Sequence, residues 1–272
     1  MSFVSPMLLH KADAPFDDSD YLTELKLDGI RLIYVVDDQG RVRMYSRHNN
    51  EITSKFPELK DLGLPPGTVL DGELLVTDKD GKPDFETLMS RFQSGVNSTE
   101  PVNFVAFDVI RSHGDRVTGL PLLKRKEMLA DLIPKDSAIL AKSQFMEGHG
   151  AAYFEAVCAQ GLEGVVLKRK NSTYQVAKRS HDWLKVINYQ FADVFIIGYR
   201  KKEFGWILAD KSNTYLGVLE LGVPAVEKKY IYQSKVVSET DTVKYIEPVP
   251  VSVKFRHYTK AGLLRIPSFA SW

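Results

Sequence analysis

The chain has 272 residues, of which 44% are hydrophobic, and a formal net charge of +1 at pH 7. It can therefore form one large domain or two unequal ones, and any nucleic-acid partner would be held by a local basic patch rather than by a globally basic surface. Cys158 is the single cysteine, which excludes an intrachain disulfide and a multi-cysteine zinc site. No apolar run is long enough to span a bilayer, and the opening MSFVSPMLLH lacks the basic leader of a signal peptide, so we expect a cytoplasmic protein.

Residues 21 to 46 predict antiparallel β structure. The segments YLTELKL, IRLIYVV and RVRMYS are rich in β-branched and aromatic residues, and DDQG between the last two is a hairpin signal. We therefore expect these three segments to form an antiparallel meander.

The following part of the chain adds helices to strands. Asp84 is a candidate N-cap for DFETLMSRF, Pro121 precedes the helical LLKRKEMLADLI, and Gly161 is a candidate C-cap for AAYFEAVCAQ. Strands are predicted for VNFVAFDVI and GVVLKR. Residues 1–188 thus predict an α+β domain of antiparallel strands with a few surface helices.

The pattern changes near Asn188. The segments DVFIIGYRKK, GWILAD, TYLGVLEL, KKYIYQSKVV and VPVSVKFRHY predict short strands separated by turns, with little helical signal. This spacing is typical of a small β-barrel. We expect a second domain at residues 189–272.

Lys26 interrupts the strand-like segment LTELKLDGIR. A lysine is a nucleophile only as the neutral amine, so it needs burial or neighbouring cations that lower its pKa. Gly29 permits close approach of a ligand to the backbone, and Arg31 carries a guanidinium suited to phosphate. Lys168 and Lys185, in the basic segment LKRKNSTYQVAKRSHDWLK, are candidates for the same site, although that segment is also compatible with a solvated charged loop.

Seven segments in order resemble the covalent nucleotidyltransferases, and most closely the small ATP-dependent DNA ligases of prokaryotes and phages. These segments are ELKLDGIR, SRHNN, LDGELL, FVAFDVI, LEGVVLKR, WLKVI and RHYTKAGLLRIPSF. The resemblance covers nearly the whole chain, and the ordered set is far more specific than any one segment.

The resemblance implies an ATP-grasp-like nucleotidyltransferase domain at residues 1–188 and an OB-fold at residues 189–272. It implies an ATP-dependent DNA ligase in which Lys26 forms a lysyl-AMP, AMP passes to the 5′-phosphate at a nick in duplex DNA, and the 3′-hydroxyl displaces AMP. The implied cofactors are ATP and Mg²⁺ or Mn²⁺, and we expect a monomer that serves DNA repair, replication and recombination. The implied site residues are Glu24, Lys26, Arg31, Arg47, Glu73, Phe107, Glu163, Lys168, Lys185, Lys260 and Arg265.

Three residues of this set have alternative roles. Glu73, like Glu163, has the oxygen ligands that Mg²⁺ prefers, but it is also suited to accept a hydrogen bond from a ribose hydroxyl. Glu24 shares the strand face of Lys26, so it lies near the nucleotide or forms a cross-strand ion pair. Phe107 stacks on adenine or belongs to the core.

The basic residues are predicted to stabilise phosphate charge. Arg31, Arg47, Lys168 and Lys185 would surround the α-phosphate. In the second domain Arg265 is the first choice for contact with the leaving pyrophosphate and Lys260 the next. A hinge near residues 188–191 would carry that segment over the nucleotide.

Two positions depart from the family pattern. Ile187 stands where ligases usually carry a second lysine after Lys185, so one phosphate contact is missing or is supplied by Lys170 or Arg169. Asn49 replaces a glycine, which is a mild change because asparagine tolerates a left-handed backbone. The alternatives are an RNA ligase, a guanylyltransferase of the mRNA-capping type, and a catalytically weak nucleic-acid-binding relative.

Overall fold

Two β-sheets form the first part of the chain and one forms the second. The computed structural model describes residues 3–94 and 99–272, and it divides into unit 1, Met1–Ile187, and unit 2, Asn188–Trp272. Among the described residues, no helix combines the length and the apolar character that crossing a membrane requires.

Unit 1 alternates short helices with strands. Its strands in chain order are β1 Leu8–Lys11, β2 Asp17–Leu25, β3 Ile30–Val36, β4 Val42–Ser46, β5 Thr68–Leu75, β6 Asn103–Ser112, β7 Asp115–Arg116, β8 Leu140–Lys142, β9 Phe145–His149, β10 Gly164–Arg169 and β11 Arg179–Ile187. Its α-helices are α1 Phe85–Ser94, α2 Leu122–Leu132 and α3 Gly150–Ala159, and two 3₁₀ turns are Thr53–Lys55 and Pro57–Leu59.

The strands of unit 1 form two sheets. Sheet I has the order β1-β11-β10-β2-β9, and sheet II has the order β4-β3-β5-β6-β7 with β8 beside β6. Most neighbours are antiparallel, while β1 with β11 and β6 with β8 are parallel. The α+β prediction is confirmed for this unit.

Alternate side chains of β3 enter two different cores, which explains why this strand is apolar apart from Arg31 and the Tyr34 hydroxyl. Leu32 and Tyr34 belong to a cluster that α1 and α2 cover. Ile33 and Val35 belong to a second cluster, the inter-sheet core, which also contains Trp183 of β11. The two sheets of unit 1 therefore face each other across the inter-sheet core.

The predicted three-stranded meander is wrong in one connection. β3 pairs with β4 as expected, but β2 pairs with β9 and β10 of sheet I. The chain crosses from sheet I to sheet II along residues 26–29. A Cβ at Gly29 would lie 2.2 Å from the carbonyl oxygen of Leu74, so only glycine fits this close crossing.

The predicted helix ends of unit 1 are confirmed. The Asp84 carboxylate accepts a hydrogen bond from the backbone N–H of Thr87 at 3.0 Å, as an N-cap does. Pro121 precedes α2 directly. Gly161 follows α3 with φ of 69°, the left-handed conformation typical of a helix C-terminus.

Unit 2 consists of one sheet and one helix. Its elements are β12 Gln190–Arg200, β13 Trp206–Ala209, β14 Tyr215–Leu219, α4 Ala225–Tyr232, β15 Val236–Glu239, β16 Val243–Phe255 and β17 Ser268–Ser271. The sheet has the order β14-β13-β12-β16-β15, with β17 also beside β16. All of these strands pair antiparallel. Unit 2 is therefore rich in β structure, and closure of its sheet into a barrel stays a prediction.

The strand predicted for KKYIYQSKVV is wrong in its first half, which is helix α4. Pro224 stands directly before the helix, where its fixed φ favours the first turn. Ile231 is fully buried in the core of unit 2. Tertiary burial of one side of the segment outweighs the strand preference of its tyrosine and isoleucine residues.

Candidate active site

Strand alternation directs the predicted residues of unit 1 into the space between sheets I and II. On β5, Asp71 and Glu73 share the face of Val69, which belongs to the inter-sheet core. Arg31 on β3 shares the face of Ile33 in the same core. The sequence signal for this arrangement is the regular two-residue spacing of charged residues with core residues.

Sheet I contributes its own charged residues to the same space. Lys185 on β11 shares the face of the buried Trp183, and Glu24 on β2 shares the face of Leu22. Lys168 lies at the end of β10 with its ammonium 4.4 Å from the Trp183 ring centroid. Residues distant in sequence are thus brought together.

Lys26 lies at the start of the crossing between the sheets. Its backbone N–H donates to the carbonyl of Gly164 at 2.9 Å, which fixes the backbone beside β10. Its ammonium lies 2.7 Å from Oε2 of Glu163, and the two side chains are 17% and 4% exposed. The amine is therefore held in an enclosed, charged environment rather than in bulk solvent.

Arg31 is fixed by a buried network. Its Nε and Nη2 donate to the two carboxylate oxygens of Asp71, each at 2.5 Å. The hydroxyl of Tyr174 donates to Oδ2 of Asp71 at 2.6 Å and accepts from the backbone N–H of Met7 at 3.0 Å. Because the Asp71 side chain is fully buried, this network determines where the guanidinium lies.

Glu24 occupies a second buried network. Its Oε1 lies 2.7 Å from the ammonium of Lys126, and its Oε2 accepts from Lys168 and from the Ser143 hydroxyl, both at 2.9 Å. Burial alone would raise the pKa of Glu24, but the two ammonium groups outweigh it and the pKa is lowered. Of the two predicted alternatives, the cross-strand ion pair with Lys168 is present, and a contact with nucleotide stays a prediction.

Phe107 lies beside both networks. The Arg31 guanidinium carbon is 4.5 Å from its ring centroid, and the Lys168 ammonium is 4.4 Å from it. The residue is 9% exposed and belongs to the inter-sheet core with Trp183. Phe107 is thus a core residue whose ring borders the charged site, and stacking on adenine stays a prediction.

The remaining titratable groups of the site have shifted pKa values. Burial raises the pKa of Glu73 to about 7, against the opposing effect of Arg31, its cross-strand neighbour, and of Lys26. Burial also lowers the pKa of Lys168 to about 8. The pKa of Lys185 is lowered by burial and then by repulsion from three cations, which are Lys26, Arg179 and Arg47.

Lys26, Arg179 and Arg47 all repel the Lys185 ammonium, so these four cations lie at one end of the site. We call this part of the site the cationic end. Arg47 follows β4 and is exposed. Arg179 begins β11 and donates to the carbonyl of Leu9. Anions are therefore favoured at this end, because several positive charges meet there with partial burial.

The expectation that Arg169 could replace a missing lysine is wrong. Its guanidinium lies 4.9 Å from the Tyr21 ring centroid, on the opposite face of sheet I from Lys168, because successive strand residues alternate. Lys170 lies 3.6 Å from Glu147. Ile187 is buried at 7% exposure, and Asn49 has φ of 63°, the left-handed backbone that was expected.

Lys260 and Arg265 lie in unit 2. Lys260 lies in the turn of a hairpin and Arg265 on its second arm. The Thr259 N–H donates to the Leu263 carbonyl at 2.8 Å, and the Arg265 N–H donates to the His257 carbonyl at 3.0 Å. Gly262 supplies the left-handed turn residue with φ of 77°. The roles of Lys260 and Arg265 toward pyrophosphate stay predictions.

Glu73 and Glu163 are compatible with a magnesium ion. Within the described ranges, no group of three or more His, Cys, Asp or Glu side chains forms a complete protein cage for a metal. Mg²⁺ is commonly held by one or two carboxylates together with substrate phosphates and waters. Both carboxylates interact with Lys26, so the donor set fits an ion bound jointly with a nucleotide.

Several residues of the site were not predicted from the sequence. Asp71 and Tyr174 hold Arg31, and Lys126 and Ser143 hold Glu24. An aspartate inside the apolar segment VLDGELL was an available signal for Asp71. The sequence contains no comparable signal for Lys126, because KRKEML has the charge pattern of an exposed helix.

Comparison with known proteins gives consistent matches. Residues 6–186 match the family model of the ATP dependent DNA ligase domain. The SPbeta prophage-derived DNA ligase-like protein LigB of Bacillus subtilis (strain 168) is 47% identical over 270 residues, 99% of each chain. The multifunctional non-homologous end joining protein LigD of Pseudomonas aeruginosa is 32% identical over 243 residues, which are 87% of this chain and 27% of LigD.

A solved structure also covers nearly the whole chain. The structure of mycobacterial DNA ligase D complexed with ATP and MES is 25% identical and superimposes with a TM-score of 0.63 over 98% of this chain and 94% of that chain.

Proposed function

Because the chain belongs to the ATP-dependent DNA ligase family, we propose that it seals nicks in duplex DNA that carry a 5′-phosphate and a 3′-hydroxyl. The observation that carries this proposal is the enclosed amine of Lys26 beside the Glu163 carboxylate, 2.7 Å away, at the cationic end of the inter-sheet space. The ATP complex of the mycobacterial relative supports ATP as the nucleotide.

In the first step the neutral amine of Lys26 attacks the α-phosphorus of ATP. A P–N bond forms, the P–O bond to the β-phosphate breaks, pyrophosphate leaves, and the nitrogen loses its proton. Glu163 Oε2 is the nearest acceptor shown for that amine. Lys185, Arg47 and Arg31 offset the negative charge that develops on the phosphate.

In the second step a 5′-phosphate oxygen of the nick attacks the phosphorus of lysyl-AMP and releases the amine. In the third step the 3′-hydroxyl loses its proton to water and attacks the adenylylated 5′-phosphate. A phosphodiester P–O bond forms, the anhydride P–O bond breaks, and AMP leaves with the electrons of that bond. Both steps reuse the same cationic end, because each concentrates negative charge on a phosphorus centre.

Glu73 and Glu163 would hold a magnesium ion, which would neutralise phosphate oxygens when bound. Glu24 and Phe107 would contact the base. Lys168, which was expected at the α-phosphate, would instead hold the Glu24 carboxylate, 2.9 Å from its ammonium. Since Glu73 has a raised pKa of about 7, an alternative role for it is a hydrogen bond to a ribose hydroxyl.

The two units carry different parts of this activity. Unit 1 corresponds to the adenylyltransferase domain proposed for residues 1–188, and unit 2 to the OB-fold proposed for residues 189–272. Lys260 and Arg265 would orient pyrophosphate, with a hinge near residues 188–191. We propose a monomer that binds DNA in the cytoplasm. The name of the Pseudomonas relative, a non-homologous end joining protein, supports a role in DNA repair by end joining, and roles in replication and recombination are further proposals.

The direct test is formation of a labelled adduct from α-labelled ATP and Mg²⁺, followed by sealing of a 5′-phosphorylated nicked duplex. Lys26→Ala is expected to abolish the adduct and the sealing. Lys124→Ala is the matched control, because that lysine is 63% exposed and pairs with Glu127 on its own helix. An undiminished adduct in Lys26→Ala would remove this residue as the nucleophile.

Parallel reactions with GTP, NAD and nicked RNA separate the related activities. An adduct from GTP but not ATP would indicate a capping-type enzyme, and sealing of RNA alone would indicate an RNA ligase. Binding of nicked DNA without any adduct would indicate a catalytically weak relative.

A further inference from the structure

A cavity of about 510 Å³ lies at the edge of the inter-sheet core of unit 1. Its apolar walls are formed by Phe3, Val4, Ile110 and Val176, which belong to that core or pack against it. None of the residues that line the cavity belongs to the candidate active site described above. Its volume lies in the range of small-molecule binding sites in proteins, so this cavity is a candidate for a second site.

Two arginines stand opposite each other at this cavity. Arg111 on β6 and Arg116 on β7 are direct cross-strand partners, and both line the cavity. Like charges at directly opposed positions destabilise a pair of strands. The neighbouring Asp115 lies on the other face of the hairpin, because successive strand residues alternate. Within residues 3–94 and 99–272, neither guanidinium forms an ion pair that would offset this repulsion.

The two guanidinium groups are oriented, but most of their donors remain for a ligand. Nη2 of Arg111 donates to the carbonyl of Gly114 at 2.8 Å, and Nε of Arg116 donates to the Thr118 hydroxyl at 2.8 Å. Nε of Arg111 is buried and has no hydrogen-bond partner in the part of the chain that the structure describes. A buried N–H without an acceptor is costly, so an anion bound beside Arg111 would remove that cost.

The surroundings of the cavity are also fixed by hydrogen bonds. Ala177 has φ of 60°, a left-handed conformation that alanine rarely adopts, and its N–H donates to the carbonyl of Ser5 at 3.1 Å. This bond ties the first residues of the chain to the segment at residues 174–177. The carbonyl of Thr118 accepts from the Tyr174 N–H at 2.9 Å. The cavity is therefore formed before a ligand binds, which lowers the entropic cost of binding.

We propose that this cavity binds a small apolar molecule that carries one oxyanion, either a carboxylate or a phosphate monoester. The planar forks of Arg111 and Arg116 bind the oxyanion, since a guanidinium matches the geometry of both groups. The apolar walls take the hydrocarbon part out of water. A bare ion lacks the hydrocarbon part, and an uncharged hydrocarbon leaves the two positive charges without a partner, so both features of the ligand are needed.

The test is a titration of the full chain, labelled at isoleucine and valine methyl groups, followed by NMR. The probes are hexanoate and hexyl phosphate, with acetate, inorganic phosphate and hexanol for comparison. At least one of the two probes with both features is expected to shift the methyl signals of Ile110 and Val176. It is also expected to bind roughly 10-fold or more tightly than hexanol and than the ion that lacks its hydrocarbon tail.

The tighter of hexanoate and hexyl phosphate identifies the oxyanion that the site prefers. Absence of shifts at Ile110 and Val176 with both probes would overturn the proposal. Equal binding of hexanol would show that the arginines contribute nothing, and equal binding of acetate and inorganic phosphate would show a surface charge without an apolar site; either result would also overturn it.

A pair of variants separates the cavity from general attraction by positive charge. Arg116→Gln is expected to weaken binding of the preferred probe by roughly 10-fold, with little risk to folding because Arg116 is exposed. Arg43→Gln is the control, since it removes the same charge from an exposed position on β4, at the other edge of sheet II, and it is expected to leave binding unchanged. Equal affinities of the two variants would contradict the assignment. The measurement needs no adduct, so failure of the proposed ligase reaction does not affect it.

Discussion

Replacement of Asp71 by asparagine tests whether the buried network determines the position of Arg31. The substitution conserves volume but removes the charge that faces Arg31 Nε and Nη2 at 2.5 Å. It also turns an acceptor of the Tyr174 hydroxyl into an amide. Breaking a fully buried ion pair typically costs about 3–5 kcal/mol. Because Arg31 remains 15% exposed and keeps its contact with Phe107, we expect a loss of about 2–4 kcal/mol in unfolding free energy.

Urea unfolding measures this loss in unit 1, where Trp183 is fully buried and packs against Tyr174 at 5.7 Å between ring centroids. Replacement of Trp206 and Trp272 by phenylalanine leaves Trp183 as the single tryptophan reporter. Asp115→Asn is the matched control, since that aspartate is exposed in the β6–β7 hairpin. A loss below about 1 kcal/mol in Asp71→Asn, together with an unchanged rate of adduct formation, would refute the view that Asp71 holds Arg31 in place.

Three further predictions concern other residues of unit 1. Glu163→Ala is expected to slow adduct formation by roughly 100-fold and to weaken its dependence on Mg²⁺ concentration, with the fold intact by circular dichroism; unchanged kinetics would place Glu163 outside the reaction. The pKa of Lys185 is lowered, so this side chain loses its charge, and with it affinity for phosphate, as the pH rises toward the ordinary pKa of 10.5. The KM for ATP is therefore expected to rise at alkaline pH in the unaltered chain but not in Lys185→Arg. Parallel pH profiles of KM in the two proteins would contradict this. Gly29→Ala is expected to cost about 1–3 kcal/mol in unfolding free energy, because its Cβ would meet the Leu74 carbonyl at 2.2 Å, whereas Gly119→Ala, with open space around it, is expected to cost little.

Strong apolar runs make a strand easy to predict from the sequence. β3 and the central part of β6 are buried on both faces, so most of their positions are apolar and the strand signal is strong. The error in the meander has a physical cause, because the partner of β2 is β10, which follows it by most of the length of unit 1. Local sequence does not report such long-range pairing. Helix α4 shows the same limit, since Ile231 is helical through burial in a core that forms only after folding.

The charged residues of the site also divide into those that the sequence predicts and those that depend on long-range contacts. The prediction of an ATP-dependent DNA ligase is confirmed by the family match, and the ordered segments that led to it contain Lys26, Arg31, Glu73 and Lys185. Of the residues that support the site, Asp71 had a signal in the segment VLDGELL, whereas Tyr174 and Lys126 could not be predicted. Tyr174 is separated from Asp71 by 103 positions, and Lys126 lies in a helix whose charge pattern is typical of an exposed surface.

The crossing at residues 26–29 has an evolutionary consequence. Both of its ends are fixed, by the hydrogen bond from Lys26 to Gly164 and by the contact of Gly29 with Leu74. An added or deleted residue there would shift the side-chain register of β3 by one and would turn Arg31 away from Asp71. We therefore expect natural relatives and insertion libraries to conserve the length of this segment without exception, while the exposed turn at residues 78–82 accepts additional residues freely.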